Sequence, residues 1–147
     1  MRFYPDFIPP FEHEPTTDGF SIEWIDQLRG YGIRTWKSFS PGEIVYAFRG
    51  FYSQAISQFS LQINTHLHLH DPYFMGKTLH SCDPNCDVVM KDFQLVAIKP
   101  IQHGDVITID YEKTEDVLFK EFQCRCSAEN CRGSIVGRTK RQMMSSV

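Results

Sequence analysis

The cysteines of the sequence fall into two groups whose spacing suits a metal ion. Cys124, Cys126 and Cys131 form a C-x-C-x4-C pattern on a polar segment, and Cys82 and Cys86 flank a Pro-Asn pair well upstream. A structural zinc site takes four thiolate or imidazole ligands in a tetrahedron. Three clustered cysteines therefore need a fourth ligand, which Cys82 or Cys86 can supply.

Disulfide bonds and unrelated buried thiols are the alternatives to zinc. Two cysteines separated by one residue rarely meet the geometry of a disulfide with each other, and the chain has an odd number of cysteines, five. Unrelated thiols would not explain the close spacing. Zinc is therefore the favoured interpretation.

Three histidines, His66, His68 and His70, alternate with other residues. In a β-strand their imidazoles would share one face, and imidazole suits zinc, copper or nickel. An exposed strand face, or histidines with satisfied hydrogen bonds, explains the same alternation and is the favoured interpretation. A pH-sensitive edge is a further alternative, because neighbouring imidazoles repel one another once protonated.

The elements that position these residues are mostly short strands. Runs of β-branched and aromatic residues alternate with Pro- and Gly-containing turns, which is typical of a mainly β chain. The pattern predicts strands over residues 21–28, 43–48 and 105–111 and a hairpin whose turn lies at Lys91 and Asp92.

One segment has helical spacing. Over residues 113–122, the side chains of Val117, Leu118 and Phe122 would lie on one side of a short helix. Residues 51–64 show little pattern, and the sequence predicts a flexible tail over residues 138–147.

Composition limits the classes of protein that fit. The 147 residues suffice for one domain with a real core, and 14% are aromatic. A formal charge of −3 argues against nucleic acid as the main partner. No apolar run is long enough to cross a bilayer, and the N-terminus lacks the pattern of a secretion signal. We therefore expect a cytoplasmic protein, or a nuclear one if the source is eukaryotic.

Three motifs together resemble a known family. The sequence LHSCDPNC at residues 79–86, GDVITIDY at 104–111 and C-x-C-x4-C-R-G at 124–133 occur in this order. They resemble a SET domain with a post-SET zinc motif, as in the protein-lysine methyltransferase family, and the chain looks like a small single-domain member.

The resemblance implies a fold and a division of the chain. It implies a mainly β, β-clip fold of small sheets with a pseudoknot, a short C-terminal helix and a zinc-bound post-SET loop. The corresponding segments would be an N-terminal arm over 1–20, the SET domain over 21–117, the post-SET zinc segment over 118–137 and the tail.

The resemblance also implies two cofactors, S-adenosylmethionine and Zn²⁺. Cys82 would join Cys124, Cys126 and Cys131 on one zinc ion, which leaves Cys86 as a free, buried thiol. The methyl donor would contact a set of residues from several segments: Tyr31, Gly32, Leu79, His80, Phe122 and Arg125.

Tyr111 matches the family's catalytic tyrosine. Methyl transfer to an amine needs a neutral, aligned nucleophile, and a tyrosine hydroxyl can orient the amine without adding a countercharge. The expected substrate is a lysine of a protein or an amine of a smaller molecule.

Three positions depart from the family's pattern. Gly76 and Leu79 stand where the family has a donor-contacting Arg and an Asn, and Ile109 replaces an aromatic residue. The sequence therefore favours a methyltransferase but keeps an alternative open. In that alternative, a SET fold has lost donor binding and acts as a binding module or on a different small molecule.

Overall fold

The structure, a computed structural model, describes residues 1–145 and is mainly β. No helix in this part of the chain is long and apolar enough to cross a membrane. Short strands alternate with turns, and their bounds in chain order are β1 Phe20–Asp26, β2 Gly30–Thr35, β3 Ile44–Ala47, β4 Phe51–Ser53, β5 Ser60–Asn64, β6 Leu67–His70, β7 Leu79–His80, β8 Cys86–Val89, β9 Gln94–Ala97, β10 Thr108–Ile109, β11 Phe122–Gln123 and β12 Ser134–Ile135, with helices α1 Tyr111–Thr114 and α2 Arg138–Ser145.

The strands form several small sheets. Two three-stranded sheets have the orders β3-β9-β8 and β4-β6-β5, and β1-β2, β7-β10 and β11-β12 form pairs. The hairpin predicted around Lys91 and Asp92 is confirmed, because β8 and β9 pair in antiparallel register on either side of it. The predicted mainly β fold of small sheets is confirmed as well.

Two distant motifs lie together at the centre of the fold. Strands β7 and β10 pair in parallel, so that His80 lies opposite Ile109. Asn85 links the same two segments, since its Nδ2 donates to the Val106 carbonyl at 2.9 Å and its Oδ1 accepts from Thr108 N at 2.9 Å. This crossing brings the residues just before the cysteine motif next to Tyr111.

The first residues of the chain pack on the main core. The Tyr4 hydroxyl donates to Asp71 at 2.5 Å, and the Phe3 ring lies 4.7 Å from that of Phe74. Phe74 in turn packs edge-on against Tyr46, which is fully buried. Residues of the arm are therefore part of the folded domain's interior.

The helix predicted over residues 113–122 is wrong. Helix α1 ends at Thr114 after a single turn, and Glu115 has an extended backbone. Glu115 accepts a hydrogen bond from Gln62 N in β5, and Val117 and Phe119 project outward, 54% and 60% exposed. A tertiary contact therefore decides where the helix ends, and the apolar spacing does not.

A helix occupies much of the segment expected to be a flexible tail. Arg138 pairs with Asp116 at 2.7 Å, and Arg141 pairs with Glu112 at 3.0 Å, which fixes α2 against the segment after Tyr111. The last two residues of the predicted tail, 146 and 147, lie outside the described residues. The strand expected over 105–111 is also shorter than predicted, because only Thr108–Ile109 pair as β10.

Candidate active site

Four of the five cysteines meet at one point. The Sγ atoms of Cys82, Cys124, Cys126 and Cys131 all lie within 4.8 Å of one another. Cys86 is outside this group and fully buried, and burial raises the pKa of its thiol to about 12. Of the two upstream cysteines, Cys82 is thus the fourth member, and Cys86 is the buried thiol that the resemblance implied.

The cluster fits a zinc ion. A Zn–S distance of about 2.3 Å in a tetrahedron puts neighbouring sulfur atoms about 3.8 Å apart. The Sγ atoms of Cys82 and Cys124 are separated by 3.9 Å. Arg132 N donates toward the Cys82 Sγ at 3.4 Å, the kind of outer contact that supports a thiolate ligand.

Arg132 also ties the cysteine segment to the residues around Tyr111. Its guanidinium donates to Asp110 at 2.7 Å and to Glu112 at 2.8 Å, and both carboxylates are buried. These carboxylates flank Tyr111 in the sequence. The cysteine cluster and the candidate catalytic residue are therefore parts of one connected unit.

Tyr111 is half-buried, with its hydroxyl directed inward. The hydroxyl donates to the Thr78 carbonyl, and the backbone N–H of Tyr111 donates to His80 Nδ1 at 3.0 Å. Burial, followed by the nearby charge of Glu115, raises the pKa of the phenol. The hydroxyl therefore stays protonated at neutral pH and is available as a hydrogen-bonding group.

Tyr111, like Phe122, lines two cavities. The cavity on the side of the cysteine cluster, about 270 Å³, is here called the cysteine-side cavity, and it is lined by Leu28, Arg29, Leu79, His80, Tyr111, Phe122, Gln123, Cys124, Arg125 and Cys126. Residues 51–64 are here called the insert, and the other cavity, about 150 Å³, is called the insert-side cavity because Ser57, Gln58, Ser60 and Leu61 form part of its wall. Ile109, Tyr111, Glu115, Leu118 and Phe122 also line it.

A third depression, about 480 Å³, adjoins both cavities. We call it the Lys77 groove, and its walls include Tyr31, Lys77, Thr78, Leu79 and Tyr111. Tyr111 thus borders all three spaces, and Leu79 borders two of them.

The residues predicted to contact the methyl donor lie close together. Leu79, His80, Phe122 and Arg125 share the cysteine-side cavity. Tyr31 lies beside them in the Lys77 groove.

Gly32 serves this region through packing. A Cβ on Gly32 would lie 2.6 Å from Leu79 Cδ1, so a larger residue would displace Leu79. Glycine at this position therefore allows β2 to approach β7 closely.

Two charged residues of the site were missed by the sequence analysis. Lys77 lines the groove beside the position where the family's Arg was expected, and its Nζ donates to the Pro72 carbonyl at 2.9 Å. Glu115 lines the insert-side cavity and is 6% exposed. Lys77 directly follows Gly76, so a search of the positions next to the missing arginine would have found it. Glu115 fell within the helix predicted there, and nothing in the sequence marked it as a residue of a cavity.

Gly76 has no space for a side chain. A Cβ at this position would lie 2.8 Å from the Phe59 Cα and would also collide with the Asp71 carbonyl. Neighbouring backbone atoms therefore occupy the space in which an arginine side chain would begin.

The three histidines do not share one exposed face. His66 precedes β6, whereas His68 and His70 are buried. His70 has two partners, since Nδ1 contacts Ser57 Oγ and Nε2 contacts the Ala55 carbonyl, both at 2.9 Å. The exposed-face interpretation is therefore wrong for His68 and His70, and satisfied hydrogen bonds describe His70.

Comparison with known proteins identifies the family. Residues 30–112 match the sequence model of the family described as SET domain. The chain belongs to the SET domain family. Its relatives include the histone-lysine N-methyltransferase ash1 of Drosophila melanogaster, 27% identical over 139 residues, or 77% of this chain and 6% of ash1. The methyltransferase flvH of Aspergillus flavus is 35% identical over 60 residues, 40% of this chain and 34% of flvH.

Solved structures show the same fold. KRYPTONITE, in complex with mCHG DNA and SAH, superposes with a TM-score of 0.64 at 22% identity over 78% of this chain and 28% of its own. The methyltransferase domain of human SETMAR superposes with a TM-score of 0.62 at 19% identity over 80% of this chain and 58% of its own. This SET domain protein thus spans only a small part of several of the relatives that it resembles.

Proposed function

We propose that this SET domain protein transfers a methyl group from S-adenosylmethionine to a lysine amine of a protein. One observation carries the proposal: Tyr111 forms a wall common to the cysteine-side cavity and the insert-side cavity. An in-line displacement needs donor and acceptor on opposite sides of the transferred group. Two cavities that meet at one tyrosine provide that arrangement.

The donor would lie on the cysteine side. S-adenosylmethionine supplies a methyl group activated by its sulfonium. Leu79 and Phe122 offer apolar surface to it, and His80 and Arg125 offer polar contacts. Lys77, which lines the adjoining groove, would pair with the carboxylate of the donor's methionine portion in place of the missing arginine.

The acceptor amine would enter the insert-side cavity. Ile109 and Leu118 line it with apolar surface, which removes water from the amine and favours its neutral form. The Tyr111 hydroxyl and the Thr78 carbonyl, which contact each other, would direct the amine's lone pair toward the methyl group. The small aliphatic side chain of Ile109 leaves space for an amine that already carries a methyl group.

Zinc would have a structural role in this site. Four thiolates on one ion would hold Cys124, Arg125 and Cys126 in the wall of the cysteine-side cavity. The role is one of positioning, because the cluster faces the donor side of Tyr111 and not the acceptor side.

Substitution of Tyr111 by phenylalanine tests the proposal. Incubated with labelled S-adenosylmethionine and lysine-containing peptides, the wild-type protein is expected to transfer methyl groups. Tyr111→Phe is expected to lower kcat about 100-fold or more, because the hydroxyl that orients the amine is lost. Tyr52→Phe, at an exposed tyrosine of β4, is the matched control and should retain full activity. Full transfer by Tyr111→Phe at saturating donor would disprove the role of Tyr111.

A second function has an observation in its favour. The closed backbone at Gly76 and the apolar side chain of Leu79 remove two polar contacts with a methyl donor. In that case, the protein would be a binding module built on a SET fold. Calorimetric titration with S-adenosylhomocysteine separates the two: micromolar binding supports the enzyme, and no binding at millimolar ligand supports the module.

A further inference from the structure

Glu115 lies directly beside Tyr111 in the insert-side cavity. Its backbone N–H donates to the Tyr111 carbonyl at 2.9 Å, which closes the turn of α1 and brings residues 111 and 115 to one face. Both side chains line the cavity, and Glu115 is almost completely buried. A buried glutamate therefore lines the space proposed for the acceptor amine.

The insert holds this carboxylate in place. Gln62 N in β5 donates to the Glu115 Oε2 at 3.0 Å. The Gln62 side chain also binds Asp116, the residue after Glu115: its Nε2 donates to Asp116 Oδ2 at 2.6 Å, and its Oε1 accepts from Asp116 N at 2.7 Å. Gln62 thus holds Glu115 directly through its backbone and indirectly through the neighbouring Asp116.

The charged groups described around Glu115 leave it without a direct cationic partner in the cavity. Arg138 of α2 pairs with Asp116 at 2.7 Å, and the exposed Lys120 lies on the cavity wall. Tyr111 is neutral at physiological pH. Burial raises the pKa of Glu115 to about 7, above that of an exposed glutamate. A cation that entered this cavity would favour the ionised carboxylate.

We propose that Glu115 binds the ammonium form of the substrate amine and accepts its proton before methyl transfer. The step rests on the proposed function. An N–H bond of the ammonium breaks, an O–H bond forms on Glu115, and the amine keeps the electron pair that then attacks the methyl carbon. After transfer, the product nitrogen carries the positive charge, and the carboxyl group releases its proton to solvent.

The apolar lining of the cavity lowers the free-energy cost of this proton transfer. A lysine amine titrates near 10.4 in water, well above the pKa of Glu115. The apolar side chains of Ile109 and Leu118 disfavour an ammonium ion, so the difference becomes smaller inside the cavity. The exposed residues Phe119 and Lys120 place the mouth of the cavity at the surface, which gives the proton a route to water.

Binding of butylammonium, the charged end of a lysine side chain, tests the site without the donor. At pH 8 the wild-type protein is expected to bind butylammonium about tenfold more tightly than uncharged 1-butanol, measured by calorimetry. Glu115→Gln, whose amide oxygen still accepts from Gln62 N, should remove this preference. Glu121→Gln, at an exposed glutamate paired with Lys140, is the matched control and should keep it. Lowering the pH of the wild-type protein to 5 should also abolish the preference, which tests the site without any substitution.

The pH dependence of kcat/KM tests proton acceptance. For the wild-type protein, kcat/KM is expected to rise tenfold per pH unit below about 7 and to level off above it, because this profile reports the free enzyme's essential base. In Glu115→Gln it should be about 100-fold lower at pH 7 and should keep rising toward the pKa of the amine itself.

The outcomes separate this inference from the proposed function. If Glu115→Gln matches Glu121→Gln in both measurements, Glu115 is only structural and the inference is overturned, even though methyl transfer occurs. If the wild-type protein prefers butylammonium but transfers no methyl group to any amine, the proposed function and the proton-transfer step are overturned. Glu115 would then remain as a binding site for ammonium ions.

Discussion

Two glutamates of the segment after Tyr111 have opposite surroundings. Burial alone would raise the pKa of Glu112, but hydrogen bonds from Arg141 and Val136 N and the charge of Arg132 hold it below its usual value. Burial, the largest effect, raises the pKa of Glu115; the charge of Arg138 opposes it, but among the described residues no arginine forms an ion pair with this carboxylate. The two carboxylates thus have different roles: Glu112 forms structural ion pairs, whereas Glu115 lines the cavity.

The two glutamates should give stability opposite dependences on pH. The lowered pKa of Glu112 means that its contribution to the free energy of unfolding is present above the unfolded-state pKa of about 4.3 and is lost as the pH falls through the folded-state pKa. The raised pKa of Glu115 means that its contribution is present below about 4.3 and is lost as the pH rises to about 7.

Urea denaturation from pH 3 to pH 8 measures both effects. Glu112→Gln is expected to reduce the fall in the free energy of unfolding below pH 5, here called the acid limb. Glu115→Gln is expected to reduce the fall in the free energy of unfolding between pH 5 and pH 7. Glu121→Gln, at the surface, should leave both limbs as in the wild-type protein. A Glu112→Gln variant with an unchanged acid limb would show that the arginines do not stabilise its ionised form.

The sequence predicted the elements whose pattern is local. Strands β8 and β9 follow from β-branched runs on either side of a polar turn, and the pairing partners lie close in the chain. The helix over 113–122 was wrong because Gln62, more than fifty residues away, binds the backbone and side chains at Glu115 and Asp116. Long-range polar contacts leave no periodic signal in the sequence.

Helix α2 was missed for the same physical reason. Its sequence is mostly polar, and its side chains are exposed or half-buried, so no apolar stripe marks a face that packs on the domain. The contacts that hold it include ion pairs between segments distant in sequence, namely Arg138 with Asp116, Arg141 with Glu112 and the exposed pair of Lys140 with Glu121. Such pairs become visible only when the fold is known.

The N-terminal arm contributes a buried polar contact that can be tested. Tyr4→Phe removes the hydroxyl that donates to Asp71, a buried carboxylate that keeps backbone donors at Tyr73, Phe74 and Met75. The expected loss in the free energy of unfolding is about 1–2 kcal/mol, because one of several hydrogen bonds to a buried group is removed. Phe7→Ala, at a side chain 77% exposed, is the control and should change stability little.

The same experiment measures how far the arm belongs to the domain. An equal, negligible effect of Tyr4→Phe and Phe7→Ala in urea denaturation would contradict the packing of residues 1–20 on the main core. A loss confined to Tyr4→Phe would mean that the arm unfolds together with the sheets.

At the scale of the whole molecule, the chemistry was easier to predict than its surroundings. The C-x-C-x4-C pattern and the family's motifs led to four cysteines that do meet, because metal ligands must have particular residue types and spacings. Lys77 and Glu115 carry no such signature. Their importance depends on which cavity they line, and that is decided by the crossing of β7 with β10 and by the insert.

The part of the chain that the structure describes has two apolar cores, and zinc should matter mainly for the smaller one. The larger core contains buried residues such as Phe74 and Leu95, whereas the smaller contains Cys82, Cys124 and Ile135. Without a metal ion, four thiols would crowd this small apolar region, and its remaining links to the domain would include the contacts of Arg132 with Asp110 and Glu112. We therefore expect loss of zinc to loosen β11 and β12 while the β8–β9 hairpin stays folded.

Removal of zinc by a chelator, followed by hydrogen exchange, tests this expectation. The zinc-loaded protein should contain one ion per chain, and its midpoint of thermal unfolding should fall by about 10 °C or more on chelation, since bound metal contributes several kcal/mol to folding. Cys82→Ala should reproduce this loss, whereas Cys86→Ala, at the thiol outside the cluster, should keep the zinc at a smaller cost in packing. Protection lost equally from the β8–β9 hairpin and from β11 and β12 would mean that the two cores unfold as one, and retention of zinc by Cys82→Ala would remove Cys82 from the ligand set.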